Sequence, residues 1–310
     1  MKKLIQLIIF FISFAYSQGG IVSGFISDSS SGEALIGANV MIQETGQGMA
    51  TDINGYYIIQ NINPGSYTLM ASYVGFRVSR IQIIISDEES IKKDIEMVED
   101  LVQLTQVDVT AEKLQRRNNI QPSKINLSPR MMKAAPALAE PDLFRTIQAL
   151  PGVLTTSEYS TGLVIRGGNT DQNLIMLDGI TVYNPSHLGG VFSNFIVDGV
   201  KEAELIKGAY NAEYGGRLSA VLNVISREGN QKEFKGKANI SLLSAQTTLE
   251  GPFYKGAWIL SGRRTYFDLV LPKVLPDNIA TNIPPYFFYD VQGHIFSDIS
   301  SKDRFSLSYY

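Results

Sequence analysis

The sequence predicts a multidomain, strand-rich chain: an N-terminal β-sandwich, then a compact α+β unit, then a run of antiparallel strands. Three observations carry this. From Ile21 to about Met97, short β-prone runs alternate at regular spacing with the turn signals Asp28-Ser-Ser-Ser-Gly32, Asp52-Ile-Asn-Gly55 and Asn63-Pro-Gly65, a sandwich pattern. Between residues 120 and 228 one helical period is followed by strands and Gly-rich loops, as in an α+β unit. After Gly229 the pattern settles to period two.

The chain has 310 residues, a formal net charge of -3 and a pI near 5.5. That length suggests two or three cores, and that charge gives no global attraction to nucleic acid. Zero cysteines exclude disulfides, iron–sulfur clusters and thiol catalysis. His187 and His294 are the only histidines, and their spacing argues neither a metal cluster nor a Ser–His–Asp set. No enzyme activity, metal or cofactor is expected.

Residues 1–17 place Lys2 and Lys3 before the apolar run Leu4 to Phe14, then Ala15, Tyr16 and Ser17. This is the order of a secretory signal peptide, with cleavage expected between Ser17 and Gln18. No later segment is long and apolar enough for a membrane helix, so entry into a membrane requires a barrel.

In the front domain, residues 18–99, Tyr67, Leu69, Ala71 and Tyr73 fall on one strand face and are expected to meet a second sheet. The Asp52 motif reads as a turn, because its glycine comes too early for a calcium loop. The acidic, helix-tolerant segment Asp87 to Asp100 closes the domain. Ser31-Gly-Glu-Ala-Leu-Ile-Gly-Ala-Asn-Val40, Thr51-Asp-Ile-Asn-Gly-Tyr-Tyr57, Pro64-Gly-Ser-Tyr-Thr-Leu69 and Ser72-Tyr-Val-Gly-Phe76 resemble the carboxypeptidase-regulatory-like domain. That resemblance implies a transthyretin-like sandwich without peptidase residues.

Residues 100–119 read as a linker. Within it Val107, Asp108, Val109, Thr110 and Ala111 form a short strand that could add to a partner's sheet edge or be the last strand of the front domain. The segment is similar to the TonB box of outer-membrane receptors, with Asp108 standing where an apolar residue is commoner.

Pro141 to Leu150 has Leu143, Ile147 and Leu150 at helical spacing, closed by Pro151-Gly152. Leu163–Ile165 and Leu174–Leu177 are two β-prone runs separated by a polar, glycine-bearing loop, and Asp178-Gly179 makes the turn that follows. The stretch holds no cysteine, histidine or lysine, so covalent chemistry is not expected there. Leu150-Pro-Gly-Val153, Ile165-Arg-Gly-Gly168, Leu177-Asp-Gly-Ile180, Leu205-Ile-Lys-Gly208, Tyr214-Gly-Gly216 and Leu222-Asn-Val-Ile-Ser226 follow the order of the TonB-dependent receptor plug domain, which 120–228 resembles. Ser219-Ala220 replaces the two glycines common in that family. If 120–228 is a plug in a polar lumen, Arg166 and Asp178 are expected to be buried and paired, with Gly167, Gly168 and Gly179 allowing loop rearrangement. Both strands flanking the loop are expected in the plug sheet.

In residues 229–310, Ala238, Ile240 and Leu242 alternate with Lys237, Asn239 and Ser241. Phe287, Tyr289, Val291 and Ile295 alternate with Asp290, Gln292 and His294, and Phe305, Leu307 and Tyr309 with Arg304, Ser306 and Ser308. A soluble sandwich and a membrane barrel both give this pattern; after a signal peptide and a plug-like segment, a transmembrane β-barrel is expected. The segment has room for about four strands, too few to close a barrel around a plug, so the chain reads as the front part of a longer barrel protein. The resemblance implies an energy-coupled outer-membrane receptor whose partners are TonB, outer-membrane lipid, a surface lipoprotein and a small-molecule or oligosaccharide substrate. The alternative is a secreted, β-rich binding or adhesion protein.

Overall fold

The computed structural model describes residues 19–86, 89–100, 124–135, 140–157, 160–187, 190–241, 243–274, 286–300 and 303–310. The expected signal peptide 1–17, its expected cleavage point between Ser17 and Gln18, and the segment Val107 to Ala111 lie outside these. The chain divides into two compact units, with the boundary in sequence between residues 118 and 119.

The first unit is a sandwich of two sheets. β1 (Gly20–Asp28), β2 (Asn39–Ile42), β3 (Gly48–Ala50), β4 (Tyr56–Ile62), β5 (Gly65–Ser72), β6 (Ser79–Ile85), β7 (Ser90–Lys92) and β8 (Ile95–Met97) follow in order. One sheet runs β4-β1-β7, with β8 also on β1, and the other β3-β2-β5-β6. Their facing residues, among them Val22, Ile26, Val40, Tyr57, Leu69, Ala71 and Ile83, form one core. Tyr67 and Tyr73 pack at its margin, so the face anticipated on β5 is the buried one. The acidic closing segment is strand, not helix: Ile91, Ile95 and Met97 reach β1 in parallel register, and pairing against a formed sheet outweighs local preference. Asp52 Oδ1 accepts from the Asn54 and Tyr56 amides at 2.9 and 2.8 Å, which makes its motif an Asx turn. Gly24 is required where β1 passes from β7 to β8, because a Cβ there would sit 2.0 Å from the Lys93 carbonyl oxygen.

The second unit begins with β9 (Lys124–Leu127), α1 (Pro129–Ala134), α2 (Leu143–Gln148), β10 (Val153–Thr155), β11 (Leu163–Ile165), β12 (Leu174–Leu177) and β13 (Ile180–Thr181). It continues with β14 (Ser186–His187), β15 (Phe192–Ser193), β16 (Val200–Ile206) and β17 (Val221–Ser226). The central sheet is ordered β13-β12-β17-β16-β9, with β12 and β17 parallel. α2 starts where Asp142 Oδ1 accepts the Phe144 and Arg145 amides at 2.8 and 3.1 Å, an N-cap. Its Leu143 and Ile147 are fully buried with Met132 of α1 against the sheet. Only one of the two strands flanking the polar loop enters this sheet. β12 does, whereas β11 pairs with β10 in a separate two-stranded ribbon, because the glycine-rich loop and the 3-10 turn Thr170–Gln172 redirect the chain between them.

The last strands, β18 (Lys235–Ile240), β19 (Ser244–Phe253), β20 (Gly256–Thr265), β21 (Tyr289–Asp298) and β22 (Arg304–Tyr309), form an antiparallel meander in which each strand pairs with the next. Five strands thus occupy a stretch expected to hold about four. The helix α3 (Phe267–Val274) lies between β20 and β21. This sheet is inside out. Ser261, Arg263, Thr265, Asp290 and Gln292 are buried, while Leu260 is 44% exposed, Tyr289 70%, Leu307 58% and Tyr309 66%. A water-soluble sheet hides its apolar face; one that hides its polar face has a hydrocarbon solvent on the other side. These are barrel-wall strands, and the unit packed on their polar face is the plug. Among the described residues no helix is long and apolar enough to cross a membrane.

Candidate functional site

The polar face of the wall and the plug surface against it make up the site, and buried charge concentrates there. On β20, Ala257, Ile259, Ser261, Arg263 and Thr265 point inward by strand alternation. Arg263, 3% exposed, is the hub. Its Nη1 donates to Glu140 Oε1 of the plug at 2.6 Å, and its Nε and Nη2 donate to Asp290 Oδ2 of β21 at 2.8 and 2.5 Å. Nη2 also donates to the Ser193 carbonyl of β15 at 2.6 Å. One guanidinium therefore ties two wall strands to two separate plug segments, using the planar fork that suits arginine to this task.

Each partner is itself held. Glu140 Oε2 accepts from Ser244 Oγ and, at 2.7 Å, from Gln246 Nε2, both on β19. Asp290 Oδ1 accepts from His187 Nε2 at 2.5 Å, and the His187 ring stacks on Phe288 with centroids 4.1 Å apart. Asp142 joins the network from the plug side: while Oδ1 caps α2, Oδ2 accepts the Ser193 amide at 2.7 Å.

Asp198 is a second node. It lies in the 3-10 turn Val197–Gly199 and takes Lys133 Nζ of α1 at 2.5 Å, Lys237 Nζ of β18 at 2.8 Å and Asn239 Nδ2 of β18 at 2.7 Å. Burial pushes its pKa up, but the hydrogen bonds and charges of the two ammonium groups outweigh this and hold it below the usual carboxylate range. Further contacts follow the same seam: Gln292 bonds the Ile196 amide and the Asn194 carbonyl, and Arg227 pairs with Glu250 at 2.7 Å.

Asp178 is half-buried and reaches the wall. Its Oδ1 accepts the Ser226 amide at 2.8 Å and its Oδ2 accepts Ser308 Oγ of β22 at 2.6 Å, with His294 Nδ1 3.8 Å away. Burial raises its pKa, and the hydrogen bonds from His294, Ser226 and Ser308 more than reverse that. Arg166 behaves differently from the expectation of burial. It is exposed and is not brought to Asp178; a Cβ on Gly208 would lie 2.9 Å from its Nη1, so its guanidinium sits over the plug's own backbone. The cause is the backbone at Arg166, where φ is +49° and the chain turns out of β11. Gly167 and Gly179 take positive φ with open space around them. Gly168 is constrained by contact, since a Cβ would meet the Ser219 side chain at 2.5 Å, and Ser219 Oγ donates to the Ile165 carbonyl at 2.8 Å. The departure at Ser219 thus ties two glycine-rich loops together.

The residues missed from sequence are Glu140, Arg263, Asp198 and Lys237. One signal for Arg263 was available: it is the single charge on the inward face of β20. A cavity of about 360 Å³ lies between the β12–β13 turn and β22, lined by Tyr183, Asn194, Tyr309 and Tyr310 among others.

Glu202 of β16 is buried within the plug. Burial first, and Glu204 second, push its pKa up to about 7 against the pull of Lys124 and Lys201. Below the unfolded value, near 4.5, it is protonated in both states and costs nothing. As pH rises toward 7 the folded state alone resists ionisation, so stability falls and then levels off. We expect the unfolding free energy to fall between pH 5 and pH 8 by an amount on the order of 2 kcal/mol, seen as a lower melting temperature, and Glu202→Gln to remove most of that drop.

A sandwich, a plug and part of an inside-out wall that grips the plug through buried charges are the parts of a plugged β-barrel. Residues 127–221 match the model of the TonB-dependent Receptor Plug Domain, and residues 22–109 that of the CarboxypepD_reg-like domain. The chain thus carries a match to a TonB-dependent receptor plug domain behind a match to a CarboxypepD_reg-like domain. It is 28% identical over 233 residues to TonB-dependent receptor P26 of Formosa agariphila, covering 70% of this chain and 22% of that protein. It is 24% identical to the TonB-dependent transporter Oar of Myxococcus xanthus, covering 72% and 22%, and 24% identical to TonB-dependent receptor SusC of Bacteroides thetaiotaomicron, covering 98% and 30%. Among solved structures, a mutant ferric enterobactin receptor from Pseudomonas aeruginosa matches at TM-score 0.44 and 20% identity over 63% of this chain and 33% of that one. The chain thus spans less than a third of the length of these curated relatives. The sandwich-family match ends at residue 109 and so overlaps Val107, Asp108 and Val109.

Proposed function

We propose that this chain is the plug-bearing part of an outer-membrane receptor that takes up a nutrient by energy coupling to TonB. The observation that supports it best is the inside-out sheet with a plug, built on its own core and its own sheet, against its polar face. No covalent chemistry is needed: the plug blocks the lumen, and a pull on the linker rearranges it. The proposed order is a signal peptide at 1–17, a periplasmic sandwich at 18–99, a linker at 100–119, the plug at 120–228 and the wall from 229. The connections give an orientation. β19 and β20 meet in a tight turn at Tyr254 and Lys255, whereas Tyr266 to Phe288 separate β20 from β21. Outer-membrane barrels keep short turns in the periplasm and long loops outside, so the Arg263 end of β20 faces the exterior. The substrate is a small molecule or an oligosaccharide.

The linker supplies the test. Val107 to Ala111 can add as a strand to the periplasmic domain of TonB through main-chain hydrogen bonds. Full-length receptor lacking residues 107–111 should lose binding to purified TonB periplasmic domain and lose uptake, while keeping its place in the outer membrane. Unchanged binding sinks the reading. Arg166, Gly167, Gly168, Asp178 and Gly179 remain gating candidates within it, Asp178 through its contact with Ser308.

A further inference from the structure

Building on that reading, we propose that the plug is divided at Glu140: residues 124–139 are the part a pull on the linker removes, and the Glu140–Arg263 contact is the stop that holds the rest in the lumen. The plug's contacts with the wall are distributed unevenly. β9 is the first element after the linker and an edge strand of four residues, paired on one side only, to β16, with Leu127 opposite Ala203 and Lys124 opposite Ile206. Its ion pair, Lys124 with Glu204, is internal to the plug and partly exposed. α1 follows and reaches the plug–wall seam through Lys133 and Asp198. When Lys133 leaves, Asp198 keeps both of its wall partners, Lys237 and Asn239, so the loss of Lys133 leaves Asp198 paired. Leu127 and Met132 leave the plug core with this segment, and that apolar burial is the main resistance to its release.

Glu140 is the reverse case. Glu140 is 6% exposed, and its carboxylate partners Arg263, Ser244 and Gln246 lie on β19 and β20. Extracting it leaves a buried guanidinium short of one counter-charge and takes the carboxylate acceptor away from Ser244 and Gln246, the costly way to break a buried pair. Two residues further on, Asp142 joins the α2 cap to Ser193, whose carbonyl also accepts from Arg263. The first weak segment and the first strong anchor are therefore adjacent in the chain, and a pull entering at Lys124 meets them in that order.

Pulling the linker of the full-length, membrane-held receptor in a single-molecule force experiment tests this without knowing the substrate. The freed segment runs from residue 124 to 139, 16 residues, or ~55 Å of extended chain. Wild type should show a first step of about that length, followed by a pause. Glu140→Gln should leave the first step unchanged and shorten the pause at least tenfold. Ser244→Ala with Gln246→Leu, which spares the ion pair, should shorten it less. A first step that releases the whole plug, or a pause that survives Glu140→Gln, overturns the proposal. Neither outcome touches the TonB-binding test of the linker, so failure of the stop and failure of the receptor reading are told apart.

Discussion

Arg263→Met unseats the plug. The substitution keeps the stem of the side chain and removes the positive charge that faces Glu140 and Asp290 together, leaving two carboxylates buried on one seam. Breaking a buried ion pair on one side costs ~3–5 kcal/mol, and here the orphaned groups sit on different parts of the molecule, so the loss falls on the contact between them. The expected result in full-length receptor is a lower melting temperature and raised conductance in planar bilayers, with cells more sensitive to large antibiotics that the outer membrane excludes. Adding Glu140→Gln and Asp290→Asn to Arg263→Met should recover most of the stability, because the uncompensated charge disappears with its partner. Arg304→Met is the control. Its pair with Glu228, at 3.0 Å, is partly open to solvent, and such pairs contribute ~1 kcal/mol or less. Closed, non-conducting Arg263→Met receptor would show that the plug is seated by shape alone.

Much of this fold is legible locally. β11 and β12 begin and end at the residues where the β-prone runs do, because glycine and polar turn residues stop both. α2 is legible from Leu143 and Ile147 at helical spacing, with Asp142 ready to cap it. The inward faces of β21 and β22 follow directly from period two, and Asp290, Gln292 and His294 share one face as read. The hub is not local. Glu140 lies 123 residues from Arg263 in sequence and Asp290 lies 27 away, and no periodic signal joins a residue just before a helix to a strand in another layer. Arg166 shows the opposite error. A charged residue between β11 and a double glycine looks like a lumen contact, yet its own positive φ turns it outward, and backbone conformation of that kind is not written in residue type. At the acidic end of the sandwich the composition tolerates a helix, whereas pairing with β1 decides the structure.

Leu260→Lys separates a barrel wall from a soluble sheet more sharply than any change on the inward face. Leu260 lies midway along β20, paired with Leu249 and Gly293, and 44% of it is exposed on the outward face. In water, lysine at an exposed strand position changes stability by ~0.5 kcal/mol or less and blunts aggregation. In a bilayer the same ammonium group enters hydrocarbon, and at mid-depth on a barrel's lipid face that costs ~2–4 kcal/mol. Full-length receptor carrying Leu260→Lys should therefore show reduced assembly into outer membranes and unfold at lower denaturant when reconstituted in lipid vesicles. Ser306→Lys, on the opposite face of β22 and close to Arg304, should be tolerated, because an ammonium group there meets a wet lumen. If the two variants are equally stable in vesicles, the outward face does not meet lipid, and the exposed row of Tyr289, Leu307 and Tyr309 belongs to an interface with protein instead.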